Sequence, residues 1–261
     1  MNIVVLVKQV PDTTEMNVDK ETGTLIRTGV PTIINPDDLA GIEEALKLKD
    51  QFGAKVTALT MGPTQAEGML RELLARGVDE VVLLTDRKFA GADTWATSNT
   101  ISAALRKLDY DLIISGRQAI DGDTAQVGPQ TAEKLGIPQI TYVDEILNID
   151  DEKITVKKVL EDCYEIIEAE LPCLITTLSG MNQPRYMTCP GIWSSFDKEV
   201  KVLTFDDLDI DPAIIGLKGS PTKVKKTFTK EVSGETKKYE FNSHDAAHFI
   251  YEILKEKQAL N

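Results

Sequence analysis

The chain has 261 residues, and 42% of them are hydrophobic, which suffices for one large or two small domains with a full core. Its formal net charge of −13 disfavours nucleic acid as a partner, because that affinity depends on Lys and Arg side chains that neutralise phosphates. The three cysteines form no C-x-x-C pair, so neither a zinc site nor a disulfide framework is indicated. The first apolar run stops at Val7 and follows no basic leader, so we expect a cytoplasmic protein without a membrane-inserted segment.

Strands and helices are expected to alternate through the first half of the chain. Apolar runs predict strands, and amphipathic stretches predict the helices between them: strands at residues 3–7, 55–61, 80–84 and 112–114, and helices from residue 36, after residue 63, at 92–108 and at 126–135. Asn35 and Pro36 suit the cap and the first position of the first helix. This alternation predicts an α/β fold built on a mostly parallel, Rossmann-like nucleotide-binding sheet.

A different pattern begins after Pro138. Four more strands are expected, at residues 146–149, 154–160, 164–169 and 174–178. Partial alternation in the middle two predicts an antiparallel extension at one edge of the sheet. From Lys198 the core periodicity is lost until a final amphipathic helix, which Ser243 is expected to cap. We therefore divide the chain into a nucleotide-binding α/β domain at residues 1–197 and a C-terminal arm at residues 198–261, whose apolar helix predicts docking on another polypeptide.

The segment SGRQAIDGDTAQVGP, residues 115–129, is the clearest candidate for ligand binding. Its small residues let backbone N–H groups approach a ligand closely, and the helix that follows adds free N–H donors and a positive dipole end, which suits a phosphate. Asp121 and Asp123 bring negative charge, so they either cap the helix or accept hydrogen bonds from ribose hydroxyls. Ligands of parallel sheets bind beyond the carboxyl ends of the strands, and these segments are expected to gather there: residues 7–12, 61–62, 85–93 and 115–127.

Several common sites are not indicated. The chain has no G-x-G-x-x-G after the first strand, no G-x-x-x-x-G-K-[ST] and no G-x-S-x-G, which disfavours a standard NAD site, a P-loop kinase and a nucleophile elbow. Asp121 and Asp123 lack a third metal ligand, and His244 and His248 are better explained as the start of a helix, so we expect no metal site. No catalytic residue is expected. The lysines between residues 218 and 226 are equally compatible with a solvated face and with contact to an anionic ligand or partner.

Six motifs together resemble the beta subunit of electron transfer flavoproteins, and they occur in the same order: VKQVPD (7–12), NPDDLAGIEEAL (35–46), MGP (61–63), SGRQAIDGDTAQVGP (115–129), PRYMTCPGI (184–192) and GSPTKV (219–224). The resemblance implies an adenine nucleotide in this subunit and a larger alpha subunit that carries FAD. Together with the expected gathering of loops, it implies these cofactor-binding residues: Leu6, Val7, Lys8, Asn35, Pro36, Asp37, Asp38, Met61, Gly62, Asp93, Thr94, Ser115, Gly116, Arg117, Gln118, Ala119, Ile120, Asp121, Gly122, Asp123, Thr124, Ala125, Gln126 and Val127. Arg117 is expected to hold a phosphate or to tune a flavin, because a guanidinium matches anionic oxygens.

The resemblance also implies a partner-recognition loop. It corresponds to Pro184, Arg185, Tyr186, Met187, Thr188, Cys189, Pro190, Gly191 and Ile192. Cys189 stands where the family has its anchoring leucine. Docking to an ordinary acyl-CoA dehydrogenase through that one residue is therefore not implied.

Members of the family hold, in this subunit, either AMP as a structural element or a second FAD that takes hydride from NADH. The residues DGDTAQVGP resemble the second, electron-bifurcating group, whereas conventional members read closer to DDDxNQTG. Gly122 and Ala125 remove side chains and charge, which leaves room for a pyrophosphate.

The expected ligand is therefore FAD, with AMP as the alternative. The expected redox partners are NADH, a ferredoxin or flavodoxin, and an acyl-CoA dehydrogenase-type enzyme reached through the alpha-subunit FAD. The chain would be an electron carrier subunit whose complex oxidises NADH. A conventional carrier with AMP and a nucleotide-binding module without redox function stay open.

Overall fold

The apolar runs of the sequence form the strands of one large sheet. The computed structural model describes residues 1–12, 31–225 and 237–259, and the chain divides into two compact units, Met1–Lys226 and Thr227–Asn261. The strands are β1 Asn2–Leu6, β2 Gln9–Pro11, β3 Thr32–Ile34, β4 Lys55–Met61, β5 Glu80–Leu84, β6 Leu112–Gly116, β7 Gln139–Ile149, β8 Lys153–Val159, β9 Tyr164–Glu170, β10 Cys173–Thr177 and β11 Val200–Leu203. The α-helices are α1 Pro36–Phe52, α2 Glu67–Arg76, α3 Thr94–Leu105, α4 Val127–Leu135, α5 Cys189–Ser195, α6 Gly216–Gly219 and α7 Ser243–Glu256.

Within the described residues, nine strands form this sheet in the order β11-β5-β4-β1-β6-β10-β7-β8-β9. The strands from β11 to β7 pair in parallel, and β8 and β9 continue as an antiparallel edge. The predicted fold class, a mostly parallel sheet with an antiparallel extension, is therefore confirmed. The chain leaves β1 toward β4 on one side, whereas β6 lies on the other side of β1. A crevice opens at such a reversal of strand order, and ligands of open α/β sheets bind there.

The core lies on both faces of the sheet because successive strand residues point to opposite sides. Ile3 and Ile114 pack in a cluster with residues of α1 and α2. Val4 and Ile113 pack in a second cluster with residues of α3 and α4. Each fully buried aliphatic side chain contributes about 1.5–3 kcal/mol, so the two layers stabilise the sheet whose strand ends form the crevice.

Strand β7 begins at Gln139 rather than at residue 146, so the predicted strand covered only its end. Two further differences have local causes. Helix α3 begins at Thr94 rather than at residue 92, because Asp93 caps it by accepting a hydrogen bond from Ala96 N at 3.0 Å. Strand β11 was not predicted at all. It has only four residues, lies at the sheet edge and pairs with β5 among the described strands; Lys201 and Val202 are exposed, so such a short segment gives little sequence signal.

The larger unit contains residues 198–225, which were expected to belong to the arm. In the smaller unit, helix α7 is capped by Asn242, whose side chain accepts from Asp245 N at 2.9 Å; Ser243 as the cap is wrong. Tyr239, Phe241 and Phe249 cluster there, with ring centroids 4.7–5.9 Å apart. Residues 226–236 and 260–261 of the expected arm lie outside the described residues. Among the described helices, none combines the length and apolarity needed to cross a bilayer.

Candidate nucleotide-binding site

The crevice between β1 and β6 is closed at its base by the first turn of α1. The Asp38 carboxylate accepts hydrogen bonds from two backbone N–H groups, that of Lys8 at 2.8 Å and that of Gly116 at 3.0 Å. A Cβ at Gly116 would overlap this carboxylate and lie 2.8 Å from Asp37 Cβ, so only glycine permits the approach. Burial raises the pKa of Asp38 to about 7, and the two backbone hydrogen bonds offset only part of that rise.

Asn35 holds the loop that follows β6. Its Nδ2 donates to the Gln118 carbonyl at 2.8 Å, and its Oδ1 accepts from Ile120 N at 3.1 Å. Its own backbone N–H donates to the Lys8 carbonyl at 2.9 Å. Asn35 and Pro36 occupy the predicted N-cap and first positions of α1, but the Asn35 side chain forms no capping hydrogen bond to the helix. The side chain positions the loop, and its hydrogen bond to Asp38 offsets part of the rise that burial causes in the pKa of that carboxyl.

The loop itself is a compact turn. The Ala119 carbonyl accepts from Gly122 N at 3.2 Å and from Asp123 N at 2.9 Å. Asp123 and Ala125 adopt left-handed backbone conformations, with φ of 49° and 52°. Asp121 Oδ1 lies 2.6 Å from Lys8 Nζ, and Gln118 donates to the Asp123 carboxylate. Neither carboxylate caps α4, which has no side-chain cap, so the capping role predicted for Asp121 and Asp123 is wrong. Hydrogen bonding to ribose hydroxyls stays a prediction.

Arg117 stands at the end of β6 with unused hydrogen-bonding capacity. Its Nε is buried and lies 3.5 Å from Asp37 Oδ2, but it forms no hydrogen bond to any described residue. The other oxygen of that carboxylate accepts from Ser179 N at 2.9 Å. The guanidinium carbon lies 5.9 Å from the centroid of the Tyr142 ring. Arg117 is therefore anchored beside the crevice and keeps donors available for an anionic ligand.

On the other side of the crevice, the starts of α3 and α4 meet. Thr94 Oγ1 donates to Gln126 Oε1 at 2.8 Å. The Asp93 carboxylate also accepts from Thr222 N at 2.9 Å and from Thr222 Oγ1 at 2.7 Å. Partial burial raises the pKa of Asp93, but these hydrogen bonds and that from Ala96 outweigh it and lower the pKa overall. Asp93 thus fastens the segment around Thr222 to the site.

The candidate residues differ in how accessible they are. Seven are buried: Leu6, Val7, Asn35, Asp37, Asp38, Ser115 and Gly116. Eleven are half-buried: Pro36, Met61, Gly62, Asp93, Thr94, Arg117, Gln118, Ala119, Asp121, Ala125 and Val127. Six are exposed: Lys8, Ile120, Gly122, Asp123, Thr124 and Gln126. Met61 ends β4, one strand beyond β1, and Gly62 follows it; neither residue shares a hydrogen bond with residues 115–127 among the described residues.

The candidate partner loop, residues 184–192, is tied to α1. The Glu43 carboxylate accepts from Arg185 N at 2.8 Å and from the Arg185 guanidinium at 2.9 Å, and Asp50 accepts from the same guanidinium at 2.9 Å. The hydrogen bond to Glu43 is the largest cause that raises the pKa of Arg185. Cys189 is exposed at the start of α5, and Tyr186 is 88% exposed.

Three residues near these regions were not predicted from the sequence. Trp193 and Phe196 are 81% and 70% exposed and lie just beyond the expected loop; their spacing of three residues was the available signal. Tyr142 lies in β7 beside Arg117 with a φ of 60°. The surrounding sequence, PQITYVDE, carries no signal for a left-handed residue.

A doubly wound parallel sheet whose loops meet at the reversal of strand order defines a nucleotide-binding α/β protein. Residues 22–208 match the family described as the electron transfer flavoprotein domain. The chain belongs to the electron transfer flavoprotein family, and two relatives that align over 98% and 100% of it are named as beta subunits.

Three relatives show the extent of this similarity. The electron transfer flavoprotein subunit beta of Clostridium acetobutylicum is 56% identical over 256 residues, which cover 98% of each chain. The subunit of the same name from Thermoanaerobacterium thermosaccharolyticum is 52% identical over 261 residues, which cover 100% of each chain. The caffeyl-CoA reductase-Etf complex subunit CarD of Acetobacterium woodii is 50% identical over 236 residues, which cover 90% of each chain.

Proposed function

We propose that this chain is the beta subunit of a heterodimeric electron transfer flavoprotein that binds FAD and takes part in flavin-based electron bifurcation. Electrons from NADH would pass to a low-potential ferredoxin or flavodoxin and, through the alpha-subunit FAD, to an acyl-CoA dehydrogenase-type enzyme. The observation that carries the choice of FAD is the space at Gly122, where a Cβ would meet no atom within 4 Å. A dinucleotide needs room for a pyrophosphate beside the first turn of α4, whereas AMP brings a single phosphate.

The residues of the site fit an anionic dinucleotide. Lys8 and Arg117 bring positive charge to the 115–127 segment, and the buried Arg117 Nε has no hydrogen-bond partner among the described residues. The first turn of α4 adds N–H donors and the positive end of the helix dipole. The bound flavin would supply the redox chemistry, while the chain binds it, orients it and sets its electrostatic surroundings.

Two surfaces support the proposed protein partners. In the smaller unit, α7 has no buried side chain, and Ile250 and Tyr251 expose more than half of their surface, so we assign this unit to the alpha subunit. We assign residues 184–192 to the acyl-CoA dehydrogenase-type enzyme, with Tyr186 as its most exposed aromatic residue. The name of the Acetobacterium woodii relative places that protein in a complex with a reductase of an acyl-CoA, which supports the same class of partner.

The decisive experiment counts the nucleotides of the purified heterodimer. Acid extraction is expected to release two FAD and no AMP per heterodimer, and anaerobic NADH is expected to bleach more than one flavin equivalent. One FAD with one AMP, together with no reduction by NADH, would assign the chain to a conventional carrier. Extraction of a nucleotide without any flavin would assign it to a module without redox function.

A further inference from the structure

We propose that Tyr142, together with Arg117, forms a platform for the flavin ring of the dinucleotide whose phosphates lie at the 115–127 segment. This assignment rests on the proposed function, because it requires a ligand with a flavin ring. It adds a ligand-contacting residue that lies on β7, two strands beyond β6.

The backbone of Tyr142 has an unusual conformation. Its φ of 60° lies in the left-handed region, where a residue with a bulky ring is rare and glycine is the usual choice. The strained residue lies at a bulge, because the register between β10 and β7 shifts between Ile175 and Thr177. Its N–H donates to Thr176 Oγ1 at 3.0 Å, which holds the conformation. Bulges and strained residues of this kind concentrate at functional sites, where they aim a side chain.

The bulge at Tyr142 lies close to the first turn of α4. Thr176 also lies against the first turn of α4, since a Cβ at Gly128 would be 3.1 Å from its methyl group. The backbone of Tyr142 is therefore joined through one side chain to the turn that is expected to hold phosphate. Neighbouring strands are about 4.8 Å apart, so β7 lies about 10 Å from β6 at this edge of the sheet. That distance separates a ring site from a phosphate site without placing it beyond the reach of one extended ligand.

The Arg117 guanidinium lies over the Tyr142 ring. The guanidinium carbon lies 5.9 Å from the Tyr142 ring centroid, within the range of a cation–π contact. Tyr142 keeps 39% of its surface exposed, so it is not a packing residue of the core. An aromatic face suits a planar ring, and a fixed positive charge favours a ring that gains negative charge on reduction. A flavin has both properties, whereas adenine has only the first.

The test compares Tyr142→Asn and Tyr142→Phe in the co-expressed heterodimer. Asparagine tolerates the left-handed backbone without a ring, and phenylalanine keeps the ring without the hydroxyl. We titrate the nucleotide-free heterodimer with FAD and with ADP, which has the same pyrophosphate end but no flavin. Y142N is expected to weaken FAD binding at the beta site roughly tenfold and ADP binding less than about twofold. Y142F is expected to bind both as the unmodified protein does.

The outcomes separate this inference from the proposed function. Unmodified protein that binds ADP but not FAD at the beta site would overturn both. Unmodified protein that binds FAD, with Y142N binding it equally well or losing FAD and ADP to the same degree, would overturn the ring platform alone. The thermal midpoint of Y142N reports folding, and it is expected not to fall because the left-handed strain is relieved. Arg117→Gln is expected to lower the midpoint potential of the beta-site flavin, and an unchanged potential would also overturn the platform.

Discussion

Asp38 and Gly116 lie so close together that the carboxylate of the first accepts a hydrogen bond from the backbone of the second at 3.0 Å. Asp38 belongs to the first turn of α1, and Gly116 ends β6. The other oxygen of the same carboxylate accepts from Lys8 N, just beyond β1. One side chain therefore fixes the helix and both strand ends that form the crevice.

Gly116→Ala is expected to lower the free energy of unfolding by about 1–3 kcal/mol, because the new methyl group meets backbone and carboxylate atoms. Gly122→Ala is the matched control, since its Cβ meets no atom within 4 Å. It is expected to stay within about 0.5 kcal/mol of the unmodified protein. Urea denaturation measures both, and equal losses in the two variants would contradict the close approach at Gly116.

The pKa of Asp38 predicts a dependence of stability on pH. It is raised to about 7 in the folded chain, against about 3.9 in the unfolded chain. Between these values the folded state keeps a proton that the unfolded state has lost, so the contribution of Asp38 to the free energy of unfolding falls as pH rises from about 4 to about 7. Asp38→Asn removes this titration. Its stability relative to the unmodified protein is expected to rise across that window, by at most about 1.4 kcal/mol per pH unit, and then to level off.

Urea denaturation of both proteins at several pH values between 4 and 8 tests this. Stability profiles that run parallel through the window would show that Asp38 does not titrate there.

Gly122→Asp is expected to reduce the FAD content of the beta site, because it places a negative charge beside the expected pyrophosphate. The free space at Gly122 means that the variant should fold without a clash. Gly122→Asn has nearly the same volume without the charge, so it separates repulsion from crowding. The measurement is the FAD content per heterodimer, and undiminished FAD in G122D would show that Gly122 does not lie beside the pyrophosphate.

Glu43→Gln is expected to loosen residues 184–192, because an amide cannot accept all the hydrogen bonds that Arg185 donates to the carboxylate. The Glu43 side chain is only 8% exposed, so a loss of about 1–3 kcal/mol in unfolding free energy is expected. Asp50→Asn is the control, since that side chain is 61% exposed and its ion pair should contribute about 0–1 kcal/mol. Electron transfer to the acyl-CoA dehydrogenase-type partner should slow in E43Q with unchanged FAD content. Equal rates in both variants would contradict a positioning role for Glu43.

Truncation after residue 226 is expected to abolish the heterodimer while the larger unit still folds. A cut after Asp197, where the sequence alone places the domain boundary, would also remove Leu208 and Ile215 from the core and Thr222 from Asp93. Size-exclusion chromatography of the co-expressed subunits compares the truncated and full chains. A stable complex with the truncated chain would show that the smaller unit is dispensable for assembly.

The elements that could be predicted from the sequence are those marked by a local pattern of residue types. Strand β6 is buried on both faces, and the run Leu112–Gly116 begins with three aliphatic residues that mark it. Asn35 was placed correctly at the start of α1, but its side-chain partners were not foreseen because they are 83 and 85 residues away in the sequence. The left-handed backbone of Tyr142 depends on the register of β10 against β7, which is a property of the pairing. Long-range hydrogen bonds and register therefore account for the parts of the site that were not foreseen.

Helix α1 has a fixed length and connects two regions that we assign to different binding partners. Its first turn fastens the crevice through Asp38, and later turns fasten Arg185 through Glu43 and Asp50. Its 17 residues span about 25 Å, and one inserted residue would turn everything beyond it by about 100°. An insertion or deletion within α1 would therefore misalign one end with respect to the other. Chimaeras that exchange the 184–192 segment between members of this family must carry their own α1 along with it.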